Sequence, residues 1–223
     1  MLEVGVHPHW QFHNLTFNAD TLISMWIVSL FLVVLAVIVR FTLRIRPGRF
    51  QCGVELGMES LLGMVTEKLS EEGKKYLPFV GTLFLFILAS NWLGVLPLEL
   101  EAPTADLNTT VALALLTITL VQIFGIIEKG VLKYLHKFIE PNPVFLPLNI
   151  MEELAKPVSL AIRLFGNIFS KETILTILTG LMALPLIYPI PILALGVLVG
   201  AIQAYVFALL AVFYISMAVA EGH

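Results

Sequence analysis

Long uncharged stretches alternate with short charged segments along the first half of the chain. The uncharged stretches have 19, 23 and 21 residues and cover 21–39, 76–98 and 107–127. About 20 apolar residues are enough for an α-helix to cross the hydrocarbon core of a bilayer. The pattern therefore predicts three transmembrane helices, at 21–41, 76–98 and 107–128.

The last third of the chain is apolar almost throughout and is divided by a proline-rich segment. Residues 183–191 contain three prolines, which end a helix and favour a turn. This predicts two further helices, at 148–184 and 190–220. A helix of 37 residues is about 55 Å long, against a hydrocarbon core of about 30 Å. We therefore expect it to tilt, to bend at Pro157 or to project, and a long tilted helical hairpin is the simplest arrangement.

The stretch 50–74 has apolar residues on one side only, at helical spacing: Val54, Met58, Leu61, Leu62, Val65 and Leu69. This predicts an amphipathic helix lying along a surface, either on lipid or against other helices. The predicted fold is an all-α polytopic membrane protein, a single domain over 1–223 with 1–20 as an external N-terminal segment. It has five transmembrane helices and one amphipathic helix on the cytoplasmic side.

Composition supports a membrane protein and excludes other classes. The chain is 58% hydrophobic and 13% charged, whereas soluble domains are about 25% charged. Its mean hydropathy is +0.93. A net charge of −3 argues against a nucleic-acid partner, and the single Cys52 allows no internal disulfide. The N-terminus lacks a basic segment, so we expect no cleavable signal peptide.

Lys and Arg cluster in two of the predicted loops. Seven lie from Arg40, at the end of the first span, to Lys75, and four lie from Lys129 to Lys156, near the start of the fourth, whereas the N-terminal segment and the 98–106 loop have none. Loops rich in Lys and Arg stay in the cytoplasm. The expected orientation places the N-terminus outside and the C-terminus in the cytoplasm, with five spans between them.

Arg163 stands in the middle of the fourth predicted helix, ten residues after Glu153. Placing an arginine at the bilayer centre costs about 2.5–3.5 kcal/mol even on lenient scales, and its guanidinium does not deprotonate. The other uncharged spans offer no carboxylate at that depth. Glu172 lies nine residues on, about 13.5 Å along the axis and on the opposite side. The sequence therefore favours an arginine that meets a carboxylate of another subunit, and a structural ion pair is the alternative.

Other polar residues of the fourth helix have two interpretations each. Asn167 projects from the same side as Arg163 and either holds water or forms a helix–helix hydrogen bond. Glu172 either relays an ion near the outer side or pairs with Lys171 at the interface. The candidate cytoplasmic exit residues Glu152 and Glu153 stand at the start of the helix, where carboxylates are also favoured by the helix dipole alone.

The fifth predicted helix carries a repeat of small residues at every fourth position, which allows close approach of another helix: Gly196, Gly200, Ala204 and Ala208. Gln203 lies beside this face, and Asn91 is an intramembrane amide in the second span. Either amide contributes to an ion path or only to packing. The three histidines of 7–13 (HPHWQFH) suggest a metal site only weakly, because no Cys or carboxylate cluster accompanies them. Nucleotide-binding, protease and hydrolase motifs are absent.

Four segments carry a specific resemblance: KPVSLAIRLFGNI (156–168), PTADLNTT (103–110), NWLGVLP (91–97) and GAIQAYVFALLAVFYI (200–215). In this order over 76–223 the chain is similar to subunit a of the F-type ATP synthase membrane sector, in its bacterial and chloroplast-like form. The resemblance implies a non-catalytic stator subunit without a cofactor. It implies that Arg163 faces the carboxylates of the c-subunit ring between two aqueous half-channels. Asn167, Glu172 and Gln203 would then line or support the outer path, with Asn91 near its opening and Glu152 and Glu153 near the cytoplasmic exit.

The resemblance also implies partners and a location. The partners are the c-ring, the b-type peripheral stalk and the rest of the ATP synthase, with H⁺ or Na⁺ as the translocated ion and a bacterial plasma membrane as the location. Two residues depart from the family pattern: Gly196 stands where some members have a histidine, and Lys171 replaces a usually small residue. A stand-alone secondary ion transporter is the alternative, but such folds show internal repeats, and the RLFGN segment occurs once. An intramembrane enzyme would need a converging acid–base or metal set.

Overall fold

A computed structural model describes residues 9–12, 15–43, 48–95, 102–136, 138–139, 142–181 and 189–219. Seven α-helices lie in these ranges: α1 (Ala19–Thr42), α2 (Arg49–Leu69), α3 (Leu77–Leu93), α4 (Leu107–Lys129), α5 (Val131–His136), α6 (Leu146–Leu181) and α7 (Pro189–Val219). Short 3-10 helices cover Glu71–Tyr76, Pro103–Ala105 and Pro143–Phe145. The predicted proline turn falls mainly on 182–188, outside the described residues.

Two short strands precede α1 and add to the predicted helical fold. Strand β1 (His9–Phe12) pairs antiparallel with β2 (Leu15–Asn18), with His9 opposite Asn18 and Phe12 opposite Leu15. Aromatic residues are common in both strands, and such residues favour extended structure. The hairpin ends directly at the start of α1. The first 20 residues therefore contain a folded element that the hydropathy pattern did not reveal.

Helix α7 forms the centre of the helical bundle. It packs extensively on α3 and α4, whereas α6 packs mainly on α4. The small-residue face of α7 is buried, and a Cβ atom added at Gly200 would lie 3.0 Å from the Cβ of Asn91. The close approach between α3 and α7 therefore leaves little room for a side chain at this position. Larger side chains fill the core on either side, among them Ile87, Leu160, Leu164, Phe207 and Ile215.

Helices α6 and α7 run antiparallel where they touch. Asn167 contacts Gln203, and Lys156 lies over the ring of Tyr214. Moving eleven residues back along α6 thus moves the contact eleven residues forward along α7. The two helices share fewer contacts with each other than each shares with α4, so α4 supports both from behind.

Four helical segments of the described chain are long and apolar enough to cross a membrane: Asp20–Thr42, Glu71–Leu93, Leu107–Lys129 and Leu193–Val219. Helix α6 is not among them, although its 36 residues exceed the length needed. Its first half carries Glu152, Glu153, Lys156 and Arg163, which lower its hydropathy. The structure supports a multi-pass helical membrane protein, and the count of five spans stays a prediction.

The amphipathic helix ends earlier than its predicted boundary at 74. Ser70 follows α2 with φ +56° and ψ −164°, a backbone conformation that stops an α-helix. Only the C-terminal half of the predicted stripe is packed, with Leu61 and Val65 buried, whereas Met58 is exposed. Met64 is buried as well. Helix α2 therefore contacts protein mainly through its last three turns, and Gln51 is a further buried residue in its first turn.

The N-terminal segment is fastened to the start of α4 by Asp106. Its Oδ1 accepts a hydrogen bond from the Asn108 amide at 2.9 Å, which caps α4. Its Oδ2 accepts from Asn18 Nδ2 at 2.8 Å and from the Thr21 hydroxyl at 3.4 Å. One carboxylate thus joins β2, α1 and α4 at the same end of the bundle.

Candidate functional site

Arg163 lies on the open side of α6. Its neighbours Leu160 and Leu164 are fully buried against the bundle, which turns Arg163 and Ser159 outward, and both are exposed. A Cβ atom added at Gly166 would meet nothing within 4 Å. None of the ion pairs between described residues involves Arg163. The cation therefore stands on the exposed side of α6, next to Ser159 and Gly166, with room for an external partner.

Asn167 and Gln203 connect α6 to α7 one turn from Arg163. The Asn167 Nδ2 donates a hydrogen bond to Gln203 Oε1. Gln203 is only 4% exposed, because the α7 face that carries it is covered by α3 and α6. The sequence left two interpretations for Asn167, water binding or a helix–helix hydrogen bond. The structure contains the helix–helix hydrogen bond.

Asn91 joins the same region from α3. It is 3% exposed, donates from Nδ2 to the Gly200 carbonyl at 3.1 Å, and accepts at Oδ1 from the Thr104 hydroxyl at 3.0 Å. Thr104 is fully buried in the 3-10 helix before α4. Both ends of the amide are therefore occupied, and α3, α7 and the 103–105 segment are fixed to one another.

A small cavity of about 20 Å³ lies among these amides. Its lining includes Asn91, Asn167, Gly196 and Gln203. The Gln203 Nε2 is buried and has no partner among the described residues. A cavity above about 10–15 Å³ with polar walls accommodates one water molecule. The site thus offers a water position next to an unused donor.

A larger cavity, of about 410 Å³, lies on the other side of Arg163 between α6 and α7. Its lining includes Glu152, Lys156, Ser159 and Tyr214. Ser159 precedes Arg163 by four residues, one helical turn, just as Asn167 follows it by four. Tyr214 interacts electrostatically with both Arg163 and Glu153. Arg163 therefore stands between two cavities that lie at opposite ends of the α6–α7 contact.

Glu153 differs from its neighbour Glu152 in being held by other side chains. It accepts a hydrogen bond from Gln122 Nε2 on α4 and forms an ion pair with Lys156 at 2.7 Å. Gln122 in turn accepts from the Tyr134 hydroxyl of α5. Burial, together with the charge of Glu153, raises the pKa of Tyr134 to about 12, so its hydroxyl remains a donor at neutral pH. Glu152 is exposed and free of this network.

Some predicted residues cannot be placed in the site. The backbone of Lys171 and Glu172 belongs to α6, but their side chains lie outside the described part of the structure. His7 and His13 are outside the described residues, and only the backbone of His9 is described. Among the described residues no group of three or more His, Cys, Asp or Glu could hold a metal ion.

Four residues of the site were not singled out from the sequence: Thr104, Gln122, Tyr134 and Tyr214. The sequence does give an indication for Gln122, because it is the one strongly polar side chain between Thr119 and Glu128 in the third predicted span. The others resemble ordinary loop or interfacial residues, and only the packing of α4 and α7 shows what they contact.

A comparison with known families finds a match over most of the chain. A family model described as ATP synthase A chain matches residues 22–216, which include every helix from α2 to α6 and most of α1 and α7. The matched region contains Arg163 and, apart from Met217, every residue that lines the two cavities. The chain therefore belongs to the ATP synthase A chain family, the family of subunit a of the F-type ATP synthase membrane sector.

Proposed function

We propose that this chain is the stator channel of an F-type ATP synthase, in which Arg163 faces the carboxylates of a c-subunit ring and separates two half-channels. The observation that carries the proposal is the position of Arg163 between two cavities, with the amide-lined cavity one turn away on one side and the Glu152 cavity one turn away on the other. Family membership supplies the context of a membrane-sector subunit that takes part in ion translocation.

The chemistry of the guanidinium explains why an arginine is used. It stays charged at every accessible pH, so a ring carboxylate that comes to face it is held ionised. A carboxylate that moves on into lipid must first be neutralised by an ion. An ion is thus taken up from one half-channel and released into the other, and each charge moved contributes about 2.3 kcal/mol per 100 mV.

The outer path depends on water, because its described polar residues do not titrate. Asn91, Asn167 and Gln203 are amides, which hold and orient water without exchanging a proton at neutral pH. The unused Gln203 Nε2 and the adjoining cavity of about 20 Å³ support one such water. Glu172, about 13.5 Å along α6 from Arg163, is the proposed titrating group of this path, with Lys171 beside it.

On the inner path we assign the exit role to Glu152. It lines the cavity of about 410 Å³ and is exposed. Glu153 already has an amide donor and an ammonium group as partners, which hold its carboxylate in place. The two neighbouring carboxylates thus have different roles, one in ion release and one in fixing α6 to α4.

The topology proposed for this function has five spans, with α6 as the fourth and α6–α7 as a tilted hairpin. The basic loops then lie in the cytoplasm of a bacterial cell and the N-terminus lies outside. The peripheral stalk holds the chain against rotation, ATP chemistry occurs in other subunits, and H⁺ or Na⁺ is selected mainly by the ring.

The decisive experiment is Arg163→Ala in the complete complex, reconstituted in proteoliposomes. Coupled ATP synthesis and ATP-driven pumping are expected to fall to background. Arg40→Ala removes an exposed cation from the end of α1 and is the matched control, expected to keep both activities. Normal coupling in Arg163→Ala would refute the proposal.

A further inference from the structure

We propose that helix α5 and the turn after it insert apolar side chains into the bilayer surface at the end of the bundle where α4 stops. These side chains, the α5 stripe, are Val131, Leu132, Leu135 and Ile139. All four are exposed, and Leu132, at 86%, is the most exposed of the large apolar side chains that the structure describes. Apolar side chains grouped in this way mark a surface that meets a partner or a membrane. The inference does not rest on the role of Arg163.

The stripe follows from the helical spacing of its members. Helix α5 ends at His136, and the amides of Phe138 and Ile139 continue the coil by hydrogen bonds of 3.1 and 2.9 Å to the carbonyls three residues before them. Residues four apart lie on one side of a helix. Val131, Leu135 and Ile139 have this spacing, so the stripe extends beyond the last residue of α5.

Tyr134 fixes α5 to the bundle and thereby holds the stripe outward. Its side chain is buried, and its hydroxyl donates a hydrogen bond to Gln122 Oε1 on α4. Its ring lies against Gly125, where an added Cβ atom would collide with it. Gly130, with φ +78°, provides the left-handed backbone conformation at the turn between α4 and α5. With Tyr134 seated on α4, the stripe remains on the outer side of α5.

The occupant that we assign to the stripe is lipid, because the stripe continues a lipid-facing surface. Helix α4 is long and apolar enough to cross a membrane, and it ends at Lys129. Ile123 and Ile127, four residues apart on one side of α4, are exposed, and Val131 comes four residues after Ile127. The stripe thus begins where α4 leaves the hydrocarbon. At this depth amphipathic segments bury their apolar side by about 5–10 Å.

The charged residues of the segment suit a membrane surface. Residues 129–139 contain neither Asp nor Glu but three lysines, Lys129, Lys133 and Lys137. Lysine at an interface keeps its apolar stem in lipid and its ammonium group among the headgroups. Of the two carboxylates that flank the segment, Glu128 is held in an ion pair and Glu140 follows directly in the sequence. Exposed leucines between lysines are typical of a segment that lies in the interface.

Insertion of the stripe would fix the depth of the start of α6. Tyr134 bonds to Gln122, and Gln122 donates to Glu153 of α6. Asn149 Nδ2, in the first turns of α6, donates to the Phe138 carbonyl at 2.9 Å. The segment that carries the stripe is therefore joined to α6 both directly and through α4. A stripe seated in the bilayer surface holds the first turns of α6 at a constant height relative to the headgroups.

The test uses the complete complex in liposomes, with Leu132→Cys introduced into a Cys52→Ser parent and labelled with a small fluorophore. The label is quenched either by a phospholipid that carries a nitroxide near its headgroup or by iodide in the water on both sides. Glu71→Cys is the matched control. The Glu71 side chain is 80% exposed, and its 3-10 helix lies at the same end of the bundle, because Lys75 pairs with Glu128.

Relative to the Glu71 label, we expect several-fold stronger quenching of the Leu132 label by the lipid nitroxide and several-fold weaker quenching by iodide. Val33→Cys, in the middle of the exposed apolar surface of α1, provides a reference for depth. Its label should be quenched more by a nitroxide near the end of the acyl chain than by one near the headgroup, and the Leu132 label should show the opposite order.

Three results would overturn the proposal. If iodide quenches the Leu132 and Glu71 labels equally, the stripe lies in water. If neither quencher reaches the Leu132 label, another subunit covers the stripe. If the Leu132 label shows the same depth order as the Val33 label, the segment lies within the hydrocarbon and not at its surface. Leu135→Cys repeats the measurement within the same stripe should Leu132→Cys fail to assemble.

Discussion

Glu152 and Glu153 are adjacent in sequence, and the structure predicts opposite consequences when each is changed. Glu153 and Lys156 are 19% and 11% exposed and their charged atoms are 2.7 Å apart. Removing one member of a buried ion pair costs about 3–5 kcal/mol, because the other charge is left without a partner. The partial exposure of Glu153 and its remaining bond from Gln122 reduce the expected cost of Lys156→Met to about 2–3 kcal/mol.

The double variant Glu153→Gln with Lys156→Met removes both charges together. Its cost is expected to be within about 1 kcal/mol of wild type, because no buried charge remains. A double-mutant cycle on urea-induced release of the chain from the solubilised complex measures the interaction directly. An interaction energy near zero would refute the stabilising role that we assign to the Glu153–Lys156 ion pair.

Glu152→Gln is the functional counterpart of that cycle. Glu152 lines the cavity of about 410 Å³ and has no part in the Glu153–Lys156 ion pair. Its loss is therefore expected to leave the urea midpoint unchanged. ATP-driven proton flux in inverted vesicles is expected to fall on the order of tenfold, the lower part of the usual range for loss of a proton-transfer group. The reasoning fails if the stable double variant at 153 and 156 loses as much flux as Glu152→Gln does.

Two further predictions concern the buried polar contacts. Asn91→Leu leaves the Thr104 hydroxyl and the Gly200 carbonyl without their partner, so we expect a loss of about 2–4 kcal/mol in the same urea titration, and a loss below about 1 kcal/mol would contradict the assigned contacts. Tyr134 has a pKa raised to about 12 by burial, whereas in the unfolded chain it titrates near 10. Its contribution to stability is therefore complete below pH 10 and lost between pH 10 and 12, by up to about 3 kcal/mol. Tyr134→Phe should lack this part of the pH dependence, and equal slopes in the two proteins would exclude it.

The helices were readable from the sequence because a bilayer imposes a simple rule on the chain. Backbone groups in hydrocarbon must bond within a helix, and the side chains facing lipid must be apolar. Uncharged runs therefore match α1 and α4 within three residues at each end, whereas α3 ends at Leu93, before the predicted boundary at 98. Arg163 was equally visible, because a cation within an apolar helix has an energetic cost that makes such residues rare.

The contacts of the site were less readable, because they depend on which faces of distant helices meet. Glu153 and Gln122 are 31 residues apart, and nothing in either local pattern indicates that they touch. Thr104 lies in a loop segment, yet it is fully buried on Asn91. The end of α2 at Ser70 depends on a backbone conformation that serine rarely adopts, so helical periodicity placed the boundary too late.

Helix α4 packs on both α6 and α7, and this shared support has a mechanical consequence. A rotor that pushes against the exposed side of α6 would transmit force mainly to the contact between α6 and α4, because the contact between α6 and α7 is smaller. The hydrogen bond between Gln122 and Glu153 belongs to the contact between α4 and α6. At the other end of α4, the Asp106 carboxylate ties that helix to α1 and to the N-terminal hairpin. In the proposed function, helix α4 would carry sideways force from α6 to α1, and the spacing between α6 and α7, and with it the shape of the two cavities, would be kept.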